Sequence, residues 1–103
     1  MGANSVTLAG EITALEPLRH TPAGLPLMNF RLTHRSVQVE ASIDRQTEFE
    51  VGAVAIGDIA AIASKLTVGD RVTVQGFLAA KRRMGTQLGT QLTLHITHIA
   101  QQT

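Results

Sequence analysis

Three consecutive cations, Lys81, Arg82 and Arg83, form the densest cluster of positive charge in this 103-residue chain. They are three of its nine Lys and Arg residues, although the formal net charge is only +1. Because the whole chain is almost neutral, attraction to a phosphate backbone has to come from such local clusters. Residues 67–78 alternate apolar with polar or small side chains and include Gly76, a pattern typical of a barrel strand. A barrel strand leading into a basic loop predicts contact with a nucleic-acid backbone without base readout.

Catalytic chemistry has few candidate residues here. A hydrolase would need paired carboxylates, a nucleophile with its base, or a metal. Glu48 and Glu50 share a strand face with solvent-facing spacing, and no Gly-rich phosphate loop is present. His95 and His98 are three residues apart, which on a regular strand places them on opposite faces, so no metal site is predicted. We therefore expect no enzyme activity, no cofactor and no small-molecule substrate.

Length and composition limit the size and environment of the protein. The chain can build one hydrophobic core, so a single domain is expected over residues 1–103. It contains no cysteine, and no apolar run reaches the roughly 18 residues of a membrane span. Residues 1–5 show no signal-peptide pattern, so a cytoplasmic location is expected. Phe30, Phe49 and Phe77 are the only Phe, Tyr or Trp residues, which leaves few rings for stacking bases.

Hydrophobic periodicity predicts five strands. They are expected at residues 4–15, 28–39, 47–56, 70–80 and 90–99. The connections between them are expected at residues 16–27, 41–46 and 81–89. Gly69 and Asp70 predict the turn before the fourth strand, and Gly52 suggests a bulge in the third.

One short helix is predicted between the third and fourth strands. Asp58 is predicted as the N-cap, and Ile59, Ile62 and Leu66 have the spacing of an apolar helix face. Five strands with a helix at this place is the element order of the OB-fold barrel, an all-β class. Other small five-stranded barrels fit the same pattern.

Three segments of the sequence are similar to a known family. They are Pro17-Leu-Arg19 with Pro22-Ala-Gly-Leu-Pro26, Phe30-Arg-Leu-Thr-His-Arg-Ser-Val-Gln38, and Thr67-Val-Gly-Asp-Arg-Val-Thr-Val-Gln-Gly-Phe77. Over nearly its whole length the chain resembles the primosomal replication protein N (PriB) family, bacterial relatives of single-stranded DNA-binding protein. The resemblance implies a homodimeric OB-fold that binds single-stranded DNA. It also implies contacts with the primosomal helicase and other replication-restart proteins.

The resemblance also implies which residues meet DNA. In that family the contacts come from basic residues around the second strand, the loop after it, and the loop between the fourth and fifth strands. A further segment, before the second strand, is basic in relatives. Matched to this sequence, the candidate nucleic-acid-binding residues are Arg19, His20, Arg35, Arg45, Lys81, Arg82 and Arg83.

Two positions depart from the family pattern. Ile43 and Glu48 stand where well-known members carry aromatic stacking residues. A stacked base is worth about 1–3 kcal/mol, so we expect weaker and more electrostatic DNA binding than in the family's best binders. The loss also supports an alternative, a protein-interaction module with little or no nucleic-acid binding. An RNA-binding OB domain is a third possibility, because fold and charge do not separate DNA from RNA.

Several candidate residues also have a purely structural explanation. Lys81, Arg82 and Arg83 could form a solvated loop that only keeps the protein soluble. Arg35 could pair with Glu40 or Asp44, and Arg45 has Asp44 and Glu48 as neighbours, which would make surface ion pairs of small energy. The remaining expectations concern side chains that pack rather than bind: His34 in the fold or a dimer interface, and Phe30 and Phe49 in the core.

Overall fold

Five long strands, one two-residue strand and one short helix make up the protein in a computed structural model that describes residues 2–81 and 91–102. The strands are β1 (Val6–Leu15), β2 (Arg19–His20), β3 (Pro26–Glu40), β4 (Ile43–Ile56), β5 (Arg71–Lys81) and β6 (Gln91–Gln101). The helix α1 (Asp58–Ala63) lies between β4 and β5. Within the described residues, no helix has the length and apolar character needed to span a bilayer.

The long strands close into a barrel. Neighbours follow the order β1–β5–β6–β4–β3, and an additional pairing of β1 with β3 closes the ring. β4 and β6 pair in parallel, from Gly52 opposite Thr93 to Val54 opposite His95, whereas the other pairs are antiparallel. A closed barrel of five strands with one short helix is the OB fold, so the predicted all-β class and architecture are confirmed.

The barrel interior is filled by apolar side chains at alternating positions along the strands. The largest fully buried side chains are Ile12, Leu32, Leu94, Val72 and Val74. Phe30 is 2% exposed, as predicted. Burial of each large apolar side chain stabilises the fold by about 1.5–3 kcal/mol, so these strands are held mainly by one shared core.

The helix differs from its prediction at both ends and in its buried face. It stops short of Leu66, and Gly57, with φ 86°, occupies the N-cap position predicted for Asp58. No side chain caps it. The side chains buried in and just after the helix are Ala60, Ala63 and Leu66. Ile62, predicted to face the core, is half exposed, because the two alanines let the helix backbone lie close to the barrel.

β3 and β4 continue beyond the barrel as a long hairpin. The connection predicted at residues 41–46 is wrong, since the turn consists of Ala41 and Ser42 alone, with φ of 52° and 64°. Two consecutive residues with positive φ match the right-handed twist of paired strands, and this lets pairing run to the tip. Phe49 lies on this hairpin and is 40% exposed, so its prediction as a core residue is also wrong.

The bulges of the sheet lie elsewhere than predicted. The β3–β4 register is unbroken at Gly52, which is paired on one side with Arg31 and on the other with Thr93. Because Gly52 is paired with both neighbouring strands, an extra residue at this position would disrupt both ladders. The register shifts instead in the β1–β3 ladder, between Ile12 and Ala14, and in the β5–β6 ladder.

The bulge in β6 changes which side chains face outward. Thr97 is the extra residue between the β6 partners of Gln75 and Gly76. An extra residue inverts the alternation, so His98 lies on the same outer face as His95 rather than on the opposite face that the spacing predicts. Even so, no group of three His, Cys, Asp or Glu residues in the described ranges is arranged to hold a metal ion.

Gly76 marks the closest approach of two strands. A Cβ added at this position would lie 1.8 Å from the carbonyl oxygen of His95 on β6. The sequence predicts either a sharp bend or a close approach by a ligand here, and the structure shows that the neighbouring strand is what approaches. Any residue larger than glycine would therefore force β5 and β6 apart.

Candidate nucleic-acid interface

A shallow groove crosses the outer face of the barrel where β3, β4 and β6 adjoin. Glu16 and Arg19, from the connection between β1 and β3, line one part of it, and Lys81, at the end of β5, lines another. The outward-facing lining residues on the three strands are Leu27, Asn29, Arg31, Gly52, Val54, Ile56, Thr93 and His95. Gly52 has no atom within 4 Å of where a Cβ would stand, so the middle of the groove floor stays low and open.

Arg19 and Lys81 are the predicted site residues that the groove brings together. Arg19 is fixed by the short pairing of β2 with β3, and His20 beside it does not line the groove. Among residues 2–81 and 91–102, no carboxylate forms an ion pair with Arg19 or Lys81. Their charges are therefore available to an anion. The other two predicted cations of the basic loop, Arg82 and Arg83, lie outside the described residues.

Arg35 and Arg45 lie on the hairpin, outside the groove. The Nε of Arg35 is 3.2 Å from the Glu48 carboxylate, and the Nε of Arg45 is 2.7 Å from that of Glu40. The tight turn places Arg35 directly opposite Glu48, so the partners proposed from sequence neighbours are wrong for both arginines. In the described structure Asp44 pairs with neither. Both pairs are largely exposed and stabilise the fold by no more than about 1 kcal/mol each.

Arg31 lines the groove but is not among the candidate residues that the sequence predicts. Its Nη1 donates to Oε1 of Glu50 at 3.0 Å, and the Thr13 hydroxyl donates to the other carboxylate oxygen at 3.2 Å. This chain of contacts joins β1, β3 and β4 and orients the guanidinium in the groove floor. The alternation with Phe30 and Leu32 predicts that the Arg31 side chain faces outward. The candidate residues implied by the family resemblance do not include it.

Phe77 and His95 form a pair of stacked rings beside the groove. They are direct partners in the β5–β6 ladder, with ring centroids 5.0 Å apart and planes inclined by 11°. His95 lines the groove, and Phe77 stands on the outer face of β5 and is 40% exposed. Nothing in the local sequence pairs Phe77 with His95, because the ring pairing depends on the bulge in β6.

Ile43 and Glu48, the two positions that the resemblance matches to stacking aromatics, lie on opposite faces of β4. The regular β3–β4 register points Ile43 to one side and Glu48 to the other. The Ile43 face also carries Phe49, whose ring lies 5.1 Å from that of His34. His34 Nδ1 is 2.7 Å from the carbonyl oxygen of Ala9, so His34 is packed against β1, as predicted. A nucleic-acid strand following one face of the hairpin meets only one of the two positions.

The groove as a whole presents more positive than negative charge. It offers two cations without carboxylate partners among the described residues, one arginine already paired, and a single lining carboxylate, Glu16. Such a surface can neutralise a few phosphates and contact the sugars along them. Arg19 and Lys81 lie on separate elements, so a ligand that contacts both of them would have to extend along the groove.

The comparison with protein families agrees with this geometry. A family model described as another single-strand binding protein family matches residues 4–98 of the chain. The closed barrel and its groove thus define an OB-fold protein of the single-strand binding class.

Curated relatives narrow the class further. Replication restart protein PriB of Nitrosomonas europaea is 43% identical over 93 residues, which cover 90% of this chain and 82% of that protein. PriB of Bordetella pertussis is 40% identical over 80 residues, covering 78% of this chain and 75% of that protein. The chain belongs to the PriB family, and the resemblance noted in its sequence is confirmed.

Solved structures show the same fold. The structure of PriB from Ralstonia solanacearum superposes with a TM-score of 0.86 at 28% identity, covering 99% of this chain and all of that one. The SSB of Plasmodium falciparum, solved in complex with single-stranded DNA, has a TM-score of 0.81 at 16% identity and covers 100% of this chain and 97% of that one. The second likeness concerns the fold alone.

Proposed function

We propose that this protein is a single-stranded DNA-binding accessory protein of replication restart, which holds the phosphate backbone without reading bases and catalyses no reaction. The observation that carries the proposal is the convergence of Arg19 and Lys81 on one groove, with no carboxylate partner for either among the described residues. Arg31 lies in the floor of the same groove. Cations spaced along a groove neutralise successive phosphates and release counterions, which is the main source of sequence-independent binding.

Protein partners are the second part of the proposal. The curated relatives bear the name replication restart protein, and we infer that this chain bridges the exposed strand to the restart helicase and associated proteins. A groove that leaves the base edges unread suits a protein that works on any exposed single strand. In this proposal residues 1–103 act as one OB-fold domain in the cytoplasm, where restart takes place.

The proposal includes a homodimer. Along residues 6–8, β1 pairs with β5 on one side, whereas on the other side its contacts with β3 begin at Ala9, whose carbonyl oxygen is 2.7 Å from His34 Nδ1, and the β1–β3 ladder begins at Glu11. An unpaired strand edge is a template for another strand, and the same edge in two copies gives a closed symmetric interface. None of residues 6–8 lines the groove, so such a dimer leaves the DNA site accessible.

The alternative, a protein-interaction module with little nucleic-acid binding, has one observation in its favour. Arg31, Arg35 and Arg45, which lie along β3 and β4, each have a carboxylate partner in the described structure. The positive charge of this ribbon is therefore balanced locally and attracts phosphate less than its arginine content suggests.

Titration of a labelled oligothymidylate at several salt concentrations separates the two functions. The wild-type chain is compared with a triple variant, Lys81→Ala, Arg82→Ala and Arg83→Ala, which should bind more weakly. The log–log salt slope should become shallower by up to about 2, since each single-strand phosphate contact adds about 0.7. The triple variant should melt at nearly the wild-type temperature. Lys65→Ala removes one exposed cation that does not line the groove and controls for net charge.

Three outcomes contradict parts of this proposal. An unchanged slope in the triple variant removes the basic loop from the binding site. A large drop in its melting temperature makes the loop structural. If the wild-type chain fails to bind even at low salt, the interaction-module function is favoured. An oligouridylate of the same length tests the RNA-binding possibility, since tighter binding to it would favour RNA as the ligand.

A further inference from the structure

We propose that Phe77 and His95 form a base-stacking site at the edge of the groove, which takes an unpaired nucleobase from a strand lying across β6. The inference rests on the proposed DNA-binding function and deepens it. Because Ile43 and Glu48 are not aromatic, these two rings would supply the stacking that those positions cannot. The resulting path for the strand runs along the barrel face rather than along the hairpin.

The backbone sets up the ring pair directly. The extra residue in β6 shifts the register, so that Phe77 lies opposite outward-facing His95 rather than opposite Ile96, the partner that an unshifted ladder would give it. Ile96 is 4% exposed and belongs to the core. At the preceding position, Gly76 lets the two strands come into close contact. The nearly parallel rings are therefore a product of the strand geometry and are held in place without a ligand.

The pair is also placed where a base could reach it. His95 lines the groove together with Arg31 and Lys81, so a backbone held by these cations passes beside the rings. Phe77 is 40% exposed although one side of its ring is stacked on His95. Nucleobases of every kind stack on an exposed aromatic face, which adds affinity without sequence preference.

A second exposed phenylalanine shows what a packing role looks like in the same protein. Phe49 is also 40% exposed and also contacts a histidine, but it lies on the face of the β3–β4 ribbon opposite the groove. Its partner His34 is fixed by contacts of both ring nitrogens, at 2.7 Å each, to Ala9 and Ser36. Among the hydrogen bonds of the described residues, none involves the ring nitrogens of His95, which leaves them available to a ligand.

The test compares two oligonucleotides that differ only in their bases. Wild type, Phe77→Leu and the matched control Phe49→Leu are titrated with an oligothymidylate and with an abasic strand of the same length. Loss of one stacked base should weaken oligothymidylate binding by Phe77→Leu roughly 5- to 150-fold. Binding of the abasic strand should not change, and Phe49→Leu should bind both strands as the wild type does.

The outcomes separate this inference from the function on which it rests. If Phe77→Leu binds both strands as the wild type does, or loses affinity equally for both, the stacking site is refuted while DNA binding stands. If the wild type binds neither strand, the proposed function itself fails.

Phe77→Trp provides a readout that does not depend on the stability of the leucine variant. The chain has no Trp or Tyr, so this indole is the single strong fluorophore. Quenching by oligothymidylate but not by the abasic strand supports stacking at this position. Equal signals from the two strands, or none from either while they bind, overturn it.

Discussion

Replacement of Gly76 by alanine should be among the most destabilising single changes in this barrel. The added Cβ would stand 1.8 Å from the carbonyl oxygen of His95, whereas real Cβ atoms essentially never come within 3.0 Å of a backbone atom. Relief requires β5 and β6 to separate by more than about 1 Å. Strands normally lie about 4.7–4.9 Å apart, so a displacement of this size stretches the hydrogen bonds on both sides of the site beyond useful length.

The expected loss of stability follows from the hydrogen bonds between β5 and β6 that this displacement breaks. Each lost ladder hydrogen bond costs about 0.5–1.5 kcal/mol, and the strained packing between the strands adds to it, so we expect a loss of about 3–5 kcal/mol. A domain of this size has a free energy of unfolding of about 5–15 kcal/mol. The melting temperature should fall by at least about 12 °C, since 1 kcal/mol corresponds to about 4–8 °C in a small domain.

Two other glycines provide matched controls for the same chemical change. At Gly10 an added Cβ would lie 2.6 Å from the Thr33 carbonyl oxygen, so Gly10→Ala should cost less, about 1–3 kcal/mol. At Gly52 it would meet nothing within 4 Å, and Gly52→Ala should stay within about 0.5 kcal/mol of wild type.

Thermal and urea denaturation at one fixed protein concentration rank the three variants. Fixed concentration matters because the melting temperature of the proposed dimer would depend on it. The expected order of stability is Gly52→Ala, then Gly10→Ala, then Gly76→Ala. If Gly76→Ala melts within about 2 °C of Gly52→Ala, β5 and β6 do not approach as closely as described, and the geometric reasoning for the ring pair fails with it.

Two further predictions concern charge and assembly. Glu48→Gln should release Arg35 and tighten oligothymidylate binding about 1.5- to 5-fold, the equivalent of an exposed ion pair; it should also steepen the salt slope by about 0.7 if Arg35 takes up a phosphate. An unchanged affinity and slope would keep Arg35 out of the DNA site. Light scattering at micromolar concentration should give twice the 11.0 kDa mass of the chain, and a strictly monomeric mass would contradict the paired β1 edge.

Local patterns in the sequence predict the barrel strands well. Alternation places Phe30 and Leu32 inside, and both are buried. The predicted turn at Gly69 and Asp70 is present, with Gly69 at φ 99° and the Asp70 carboxylate accepting the Thr67 N–H at 2.9 Å. These features depend on neighbours in the chain, and the sequence displays such neighbours directly.

Features that depend on partner strands are not predictable in this way. The hairpin turn at Ala41 and Ser42 lacks the Asn-Gly or Asp-Gly signal typical of such turns, so the extent of β3 and β4 is apparent only from their register. The ion-pair partners of Arg35 and Arg45 follow from that register as well. The placement of Phe49 was wrong for the same reason, because its parity is that of a core residue but the strand has already left the barrel there.

The candidate site was partly predictable. Lys81 belongs to a cluster that the sequence shows plainly, and the family resemblance points to Arg19. Arg31 lies in the floor through the β3–β4 ladder, and His95 joins it only because β4 and β6 pair in parallel. Neighbouring residues in the sequence give no indication of parallel pairing between distant strands.

The contact between Arg31 and Glu50 has a consequence for how salt titrations count charges. Glu50 serves Arg31 as a built-in counterion, so the pair approaches DNA as a nearly neutral dipole. Such a dipole donates hydrogen bonds to a phosphate but displaces few of the cations condensed on the strand. The salt slope should therefore report cations without a carboxylate partner, such as Arg19 and Lys81 among the described residues, but largely omit Arg31. The affinity extrapolated to high salt should still include the hydrogen bonds that Arg31 donates to a phosphate, although the salt slope does not count them.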